Sequence, residues 1–247
     1  EFYYGIKTGL NAAFVIDERT RGELIAADPR SADVIKPWLR GRDVKRWAVE
    51  WDGLYVIFTR RGIDIDQYPA IKAYLAQYRE RLEPGKKGGR KPGSYKWYEI
   101  QDNIAYYAEF DEPKIVYPHF NYKPNFALES SGALSNDNTY IIPGGSLYLL
   151  GVLNAHTSHF LLKNIAPAVR GDYIEFRTIY VGQVPIPEPT SEQQAAIEAV
   201  VQQLLEVGRE GPEVSALEAE LNRLVYEVYG LTEDEIAIIE REVGAQA

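Results

Sequence analysis

Two stretches of this chain carry side chains that could do chemistry on a polyanion. The first is Trp38-Leu39-Arg40-Gly41-Arg42-Asp43-Val44-Lys45-Arg46-Trp47, basic and apolar residues interleaved between two indoles. The second threads Lys86, Lys87, Arg90, Lys91, Lys96, Trp97 and Tyr98 through glycine and proline. Ammonium and guanidinium groups neutralise phosphates, Arg forks pair with guanine edges, and flat rings stack on bases. A basic run is also what an ordinary solvated face looks like, so these runs set a direction and not an identity.

Catalytic chemistry finds less support. The only imidazoles are His119, His156 and His159. His156 and His159 have chelating spacing on one apolar stretch, but no adjacent glutamate completes a zincin-type site, and the pair reads as structural. Gly5-Ile6-Lys7-Thr8-Gly9 lacks the spacing of a phosphate loop, and Ser135, Ser146 and Ser158 lack a nucleophile elbow. Asp111-Glu112-Pro113-Lys114 reads as a turn before a strand. No glycine-rich cofactor fingerprint follows a strand. The expectation is a chain with no catalytic centre, no metal site and no cofactor of its own.

The net charge of −9 argues against a DNA ligand until it is located. Residues 189–247 hold 13 acidic and 3 basic residues, a balance of −10 that leaves the first 188 residues at +1. Such asymmetry says more than the total. Cysteine is absent, which excludes disulfides, cysteine-ligated zinc and thiol nucleophiles and fits a cytoplasmic location. No apolar run is long enough to span a membrane. Methionine is absent as well, so Glu1 reads as an internal position of a longer protein.

The elements that must hold these residues read as an α+β fold, a strand-rich domain over 1–188 followed by a helical tail over 189–247. Short β-branched and aromatic runs at 55–58, 114–117, 139–142 and 180–184 predict strands. Apolar spacing predicts packing helices over 69–83 and 147–162. Pro185-Ile186-Pro187-Glu188-Pro189 bars helix and marks the boundary. Beyond it a capping box at Thr190 and Gln193 opens a helix to 207, and Gly211-Pro212 breaks it. A second helix over 213–229 carries a Leu217, Leu221, Leu224, Val225, Val228 stripe, Gly230 ends it, and a short helix follows Thr232. The stripe has two possible destinations, the first domain or a missing partner. Residues 84–94, rich in Gly and Lys, predict a loop.

Gly5-Ile6-Lys7-Thr8-Gly9-Leu10-Asn11-Ala12-Ala13-Phe14-Val15-Ile16-Asp17 resembles the opening signature of the TaqI-like specificity domain. That domain is the C-terminal target-recognition part of type IIG restriction-modification enzymes and related adenine DNA methyltransferases. Further similar stretches follow in order: 39–47, 68–71 leading to Tyr74-Leu75, 97–100, 113–116, 149–154, 185–187 and 224–232. Each motif is weak alone; their ordered succession across nearly the whole chain is specific.

The resemblance implies a module that places double-stranded DNA against an upstream methyltransferase domain of the same protein. There S-adenosylmethionine would be bound and a flipped adenine methylated. Within such a module, side-chain chemistry makes Lys45, Lys86, Lys87 and Lys91 the expected phosphate contacts, with Arg40, Arg42, Arg46 and Arg90 as candidates for guanine edges. Lys96, Trp97 and Tyr98 extend that set. Lys7, Thr8 and Asn11, in the opening signature, serve either the DNA or the fold. The rival reading is a protein-interaction scaffold that docks through the acidic helical tail.

Overall fold

The computed structural model describes residues 1–169, 171, 173–208 and 210–243. The chain opens with β1 (Tyr3–Tyr4), α1 (Asn11–Phe14), β2 (Val15–Asp17), α2 (Glu18–Ala27), α3 (Ser31–Val34), β3 (Ile35–Leu39) and β4 (Leu54–Ile57). There follow α4 (Pro69–Ala76), α5 (Arg79–Leu82), β5 (Lys114–Pro118), β6 (Phe120–Asn121), β7 (Ala127–Glu129), β8 (Leu134–Ser135) and β9 (Thr139–Pro143). It closes with α6 (Leu147–Asn154), α7 (His156–Ile165), β10 (Ile174–Glu175), α8 (Thr178–Val181), α9 (Ser191–Val207), α10 (Pro212–Tyr229) and α11 (Glu233–Val243). The fold is α+β, as expected.

Two sheets share the load. One is antiparallel in the order β1-β9-β5-β7, and the other runs β2-β4-β3-β8 with β8 parallel to β3. A strand's side chains alternate between faces, so a strand apolar at every position is buried on both. β5 is such a strand: Val116 packs into a first core with Ile141 of β9, while Ile115 and Tyr117 pack into a second with Tyr140 and Ile142. The first sheet is therefore the wall between two cores. Each fully buried aliphatic side chain in it stabilises the fold by about 1.5–3 kcal/mol.

The second core runs on into the tail. Ile197, Val201 and Leu204 of α9 and Leu221 and Val225 of α10 lie in it beside Leu150 and Val152 of α6. A Cβ on Gly151 would lie 2.9 Å from Val201 Cγ2, so this glycine lets α6 and α9 close on each other. The second core thus runs across residue 188, and the leucine stripe packs on the body of the same chain. Among the described residues no helix is long and apolar enough to cross a membrane.

Three predicted elements form differently. The helix expected over 69–83 is two, α4 and α5, separated at Gln77 and Tyr78. The helix expected over 147–162 breaks at Ala155, which is extended at φ −68° and ψ 160°. There Asn154 exchanges side-chain hydrogen bonds with both backbone groups of Phe126, and Asn222 of α10 accepts from the His156 N–H that opens α7. Residues 180–184, β-branched enough to predict a strand, end the short helix α8 instead. Val181 and Val184 are buried in the second core, and that burial outweighs a weak local preference.

Candidate nucleic-acid interface

The 40–47 loop divides its own basic residues into two sets. Arg40 turns inward: its Nη2 donates to Asp43 Oδ1 at 2.7 Å and also reaches Asp52, while its backbone N–H donates to Asp43 Oδ2 at 2.8 Å. Arg46 turns inward too. Its Nη1 donates to the carbonyls of Pro124 at 3.2 Å and Asn154 at 2.8 Å, and its Nε pairs with Glu218 of α10. The same Glu218 oxygen accepts from Trp47 Nε1 at 2.6 Å. Burial alone would push the Glu218 carboxyl up, but Arg46 and the Trp47 indole outweigh it and hold it below its ordinary range. Trp47 sits at φ 69°, a backbone state that needs such anchoring in a residue with a Cβ.

Arg42 is left for solvent. The Arg42 side chain is 71% exposed, with its nearest carboxylate, Asp52, at 3.9 Å. Lys45 is half-buried, its backbone tied to Ala48. Of the arginines expected at guanine edges in this run, the loop presents Arg42 and spends Arg40 and Arg46 on holding itself in shape.

The second run sorts in the same way. Arg90 is buried, and its guanidinium donates to the carbonyls of Leu82, Thr8, Glu99, Lys96 and Trp97. A guanidinium has five N–H donors. All five are taken, so Arg90 is a strut and has nothing left for a base edge. Burial pulls its pKa down to about 10, and it remains cationic at neutral pH. Trp97 is buried under the Arg79 guanidinium at 4.5 Å, so its ring is not a stacking platform. Lys86, Lys87, Lys91 and Lys96 are exposed, and Lys96 lies 5.5 Å from the half-buried Tyr98 ring.

The opening signature mixes both roles. Thr8 is buried, donates to Asn11 Oδ1 at 2.6 Å and accepts the Leu10 N–H at 3.2 Å; its carbonyl receives Arg90. It braces the fold. Lys7 and Asn11 are exposed, and Lys7 Nζ lies 3.5 Å from Asp137.

Around Arg42 the fold builds a groove from two hollows of about 450 and 380 Å³ that share Gly41, Arg42 and Asn138. Asn11, Arg40 and Asn136 line the first; Lys45, His119, Asn121 and Asn125 line the second, with Phe120 and Tyr173. The strand ends position these residues. Asn136 N–H donates to the Leu39 carbonyl at 2.9 Å, and His119 N–H donates to the Asn138 carbonyl at 2.9 Å. Gly5 passes so close beneath that a Cβ there would lie 1.8 Å from the Asn136 carbonyl oxygen. An amide offers a donor beside an acceptor, matched to the major-groove edge of adenine, and an Arg fork matches guanine.

Sequence reasoning missed Asn121, Asn125, Asn136, Asn138 and His119. The signal was local: residues 119–125 read His-Phe-Asn-Tyr-Lys-Pro-Asn and 136–138 read Asn-Asp-Asn, each just past a strand. A third hollow of about 410 Å³ gathers Lys36, Arg60 and Arg61, but Asp33 and Asp111 offset their charge. His156 Nδ1 lies 2.9 Å from Glu240. Burial first, then His156, lowers the pKa of His159 to about 4, so it is neutral at pH 7. Among the described residues no group of three or more His, Asp or Glu could hold a metal ion.

Comparisons with known proteins place the chain among DNA-modifying relatives. A protein named type II methyltransferase M.BstVI, from Geobacillus stearothermophilus, is 24% identical over 244 residues, covering 95% of this chain and 40% of that protein. Type II methyltransferase M.BanIII from Aneurinibacillus aneurinilyticus is 32% identical over 161 residues, 59% of this chain and 26% of its own length. This chain therefore spans well under half the length of either relative. The type IIL restriction-modification enzyme MmeI, solved in complex with DNA, superposes with a TM-score of 0.73 at 19% identity, covering 96% of this chain and 34% of MmeI. That likeness establishes a shared fold. Residues 36–186 match the TaqI-like C-terminal specificity domain, and the chain belongs to that family.

Proposed function

We propose that this chain recognises a DNA sequence and positions it for a methyltransferase domain of the same protein. The reading rests on one observation above all. In a member of a specificity-domain family, an exposed Arg42 stands in a groove edged by amide side chains. Arg42 and the Asn side chains at 11, 121, 125 and 138 would read base edges. Lys45, Lys7 and the lysines at 86, 87, 91 and 96 would hold phosphates, a division of labour common to duplex-binding proteins. S-adenosylmethionine would be held by the methyltransferase domain.

The test is selection of a randomised duplex library on the immobilised chain at two salt concentrations. Enrichment of one short motif that survives the higher salt supports sequence recognition. Retention without enrichment reduces the role to phosphate binding, and no retention at low salt overturns the reading. The scaffold alternative loses its main support, because the apolar stripe of α10 is packed against α6, α7 and α9.

A further inference from the structure

The edge of the groove carries rings that the hydrogen-bonding reading leaves without a task. Phe120, Tyr122 and Tyr173 are 41%, 51% and 36% exposed. They are not loose. Phe120 pairs with Glu175, and Asn121 with Ile174, in the β6–β10 ribbon. His119 stacks on Phe120 at 4.0 Å between centroids with 15° between planes, and Glu175 Oε1 holds its Nε2 at 3.1 Å. Tyr122 and Tyr173 lie 3.8 Å apart, and the Phe176 N–H ties the ribbon back to the His119 carbonyl at 2.7 Å. Rigid, clustered apolar rings held in water mark a surface built to be covered.

The cover is identified by what surrounds it. Phe120 and Tyr173 share their hollow with Arg42, Lys45, Asn121 and Asn125, which suits a polyanion carrying flat hydrogen-bonding rings. In an intact duplex the faces of the bases are occupied by their neighbours, so an aromatic ring finds no face to stack on. It finds one only where a base has lost its neighbour. Stacking of a base on an aromatic side chain is worth about 1–3 kcal/mol.

Resting on the DNA reading above, we infer that the Phe120–Tyr122–Tyr173 edge is a stacking element for a nucleobase unstacked within the bound duplex. The edge would cap the gap left when a base is turned out, a role separate from reading base edges.

The test compares this chain's affinity for a fully paired duplex and for the same duplex with one abasic position, with 2-aminopurine beside it. Preference for the gapped duplex should be about 5-fold to 150-fold, the range of one base–ring stack. It should come with quenching of the 2-aminopurine as its exposed face is covered. Tyr122→Ala should bring the ratio of the two affinities toward one, and Tyr122→Phe should restore it. Tyr122→Leu, which keeps apolar area without a flat face, should not. If both duplexes bind equally well to the original chain, or Tyr122→Leu keeps the ratio, the stacking role is wrong and the DNA reading stands. If neither duplex binds at low salt, both the stacking role and the DNA reading fall.

Discussion

The two basic runs look alike as sequence and are built alike in space, yet they present different chemistry. In the 40–47 loop, Arg40 and Arg46 fold back onto carboxylates and carbonyls, and what remains outside is Arg42. In the 84–98 segment, Arg90 folds back onto five carbonyls, and what remains outside is lysine. A guanidinium is planar, less strongly hydrated than an ammonium and rich in donors, so it is the cation a fold can bury; lysine stays in water. The difference is therefore one of information. On the proposed reading, the first loop offers a fork that would tell bases apart, whereas the second offers point charges that would serve any phosphate. A basic run overstates a binding face by the number of its arginines that the interior takes back.

The largest expected effect tests whether Arg90 belongs to the interior. Arg90→Ala takes a donor from five carbonyls, of which Thr8 and Lys96 keep the backbone N–H groups of Gln101 and Glu99, and should cost at least about 3 kcal/mol in chemical denaturation. Arg90→Lys should recover little, because one ammonium cannot satisfy the fan of acceptors. A stable Arg90→Ala protein with weakened DNA binding would break the comparison, since it would return Arg90 to the recognition surface.

Next comes the strut of the first loop. Glu218→Gln should cost about 2 kcal/mol near neutral pH, below the full penalty for splitting a buried pair because Arg46 keeps its two carbonyls. Its pH dependence carries a sign. The Glu218 carboxyl titrates below its ordinary value in the folded chain. Its contribution is present above the unfolded pKa of about 4.3 and is lost as the pH falls through the folded value. The gap between the original protein and Glu218→Gln should therefore narrow in acid. His159 acts in a higher window. Its folded pKa of about 4 lies below the unfolded value. The unfolded chain takes up a proton first, and stability is lost between about pH 6.5 and 4, by up to about 3 kcal/mol. Denaturation midpoints of Glu218→Gln and His159→Gln across about pH 3.5–8 separate the two.

Much of this architecture was legible in the sequence because it rests on local rules. The capping box at Thr190, the Gly211-Pro212 break and Gly230 at φ 66° fix the tail from within a few residues each. The strands β5 and β9 were legible because burial on both faces leaves a continuous apolar run. What could not be read depends on residues far apart in the chain. That Arg46 meets Glu218, 172 positions on, is a fact of tertiary packing, and it decides that Arg46 faces inward. The groove was illegible for the same reason. Its amides come from the segments at 11, 121–125 and 136–138, and that these share one groove is visible only once β5, β8 and β9 bring their ends together. Charge is visible in a sequence and exposure is not, so a basic run does not say which of its residues face outward.

Arg42 sharpens the comparison from the outside. Arg42→Ala should leave stability within about 0.5 kcal/mol, as expected for an exposed side chain free of a close ion pair. If it reads a guanine, its loss should cost about 1–3 kcal/mol of binding to the preferred site and relax one position of it. Selection repeated on the variant measures both. An unchanged motif at uniformly lower affinity would demote Arg42 to a phosphate contact and erase the distinction between the two loops.

The smallest effect belongs to the lysines of the second segment, and its form matters more than its size. Lys86→Ala with Lys87→Ala should weaken every duplex alike, because an ammonium on a flexible stem neutralises a phosphate without choosing a base. Each phosphate left without its ammonium should flatten the dependence of log K on log salt by about 0.9. The double variant should thus lower the slope by about 2 and keep the selected motif intact. Titrations at three or more salt concentrations, on preferred and scrambled duplexes together, read slope and discrimination in one experiment. A slope that stays put means the segment stands clear of the DNA. A motif that changes would mean that the glycine-rich backbone between these lysines reaches the bases, and the second loop would then be a reader like the first.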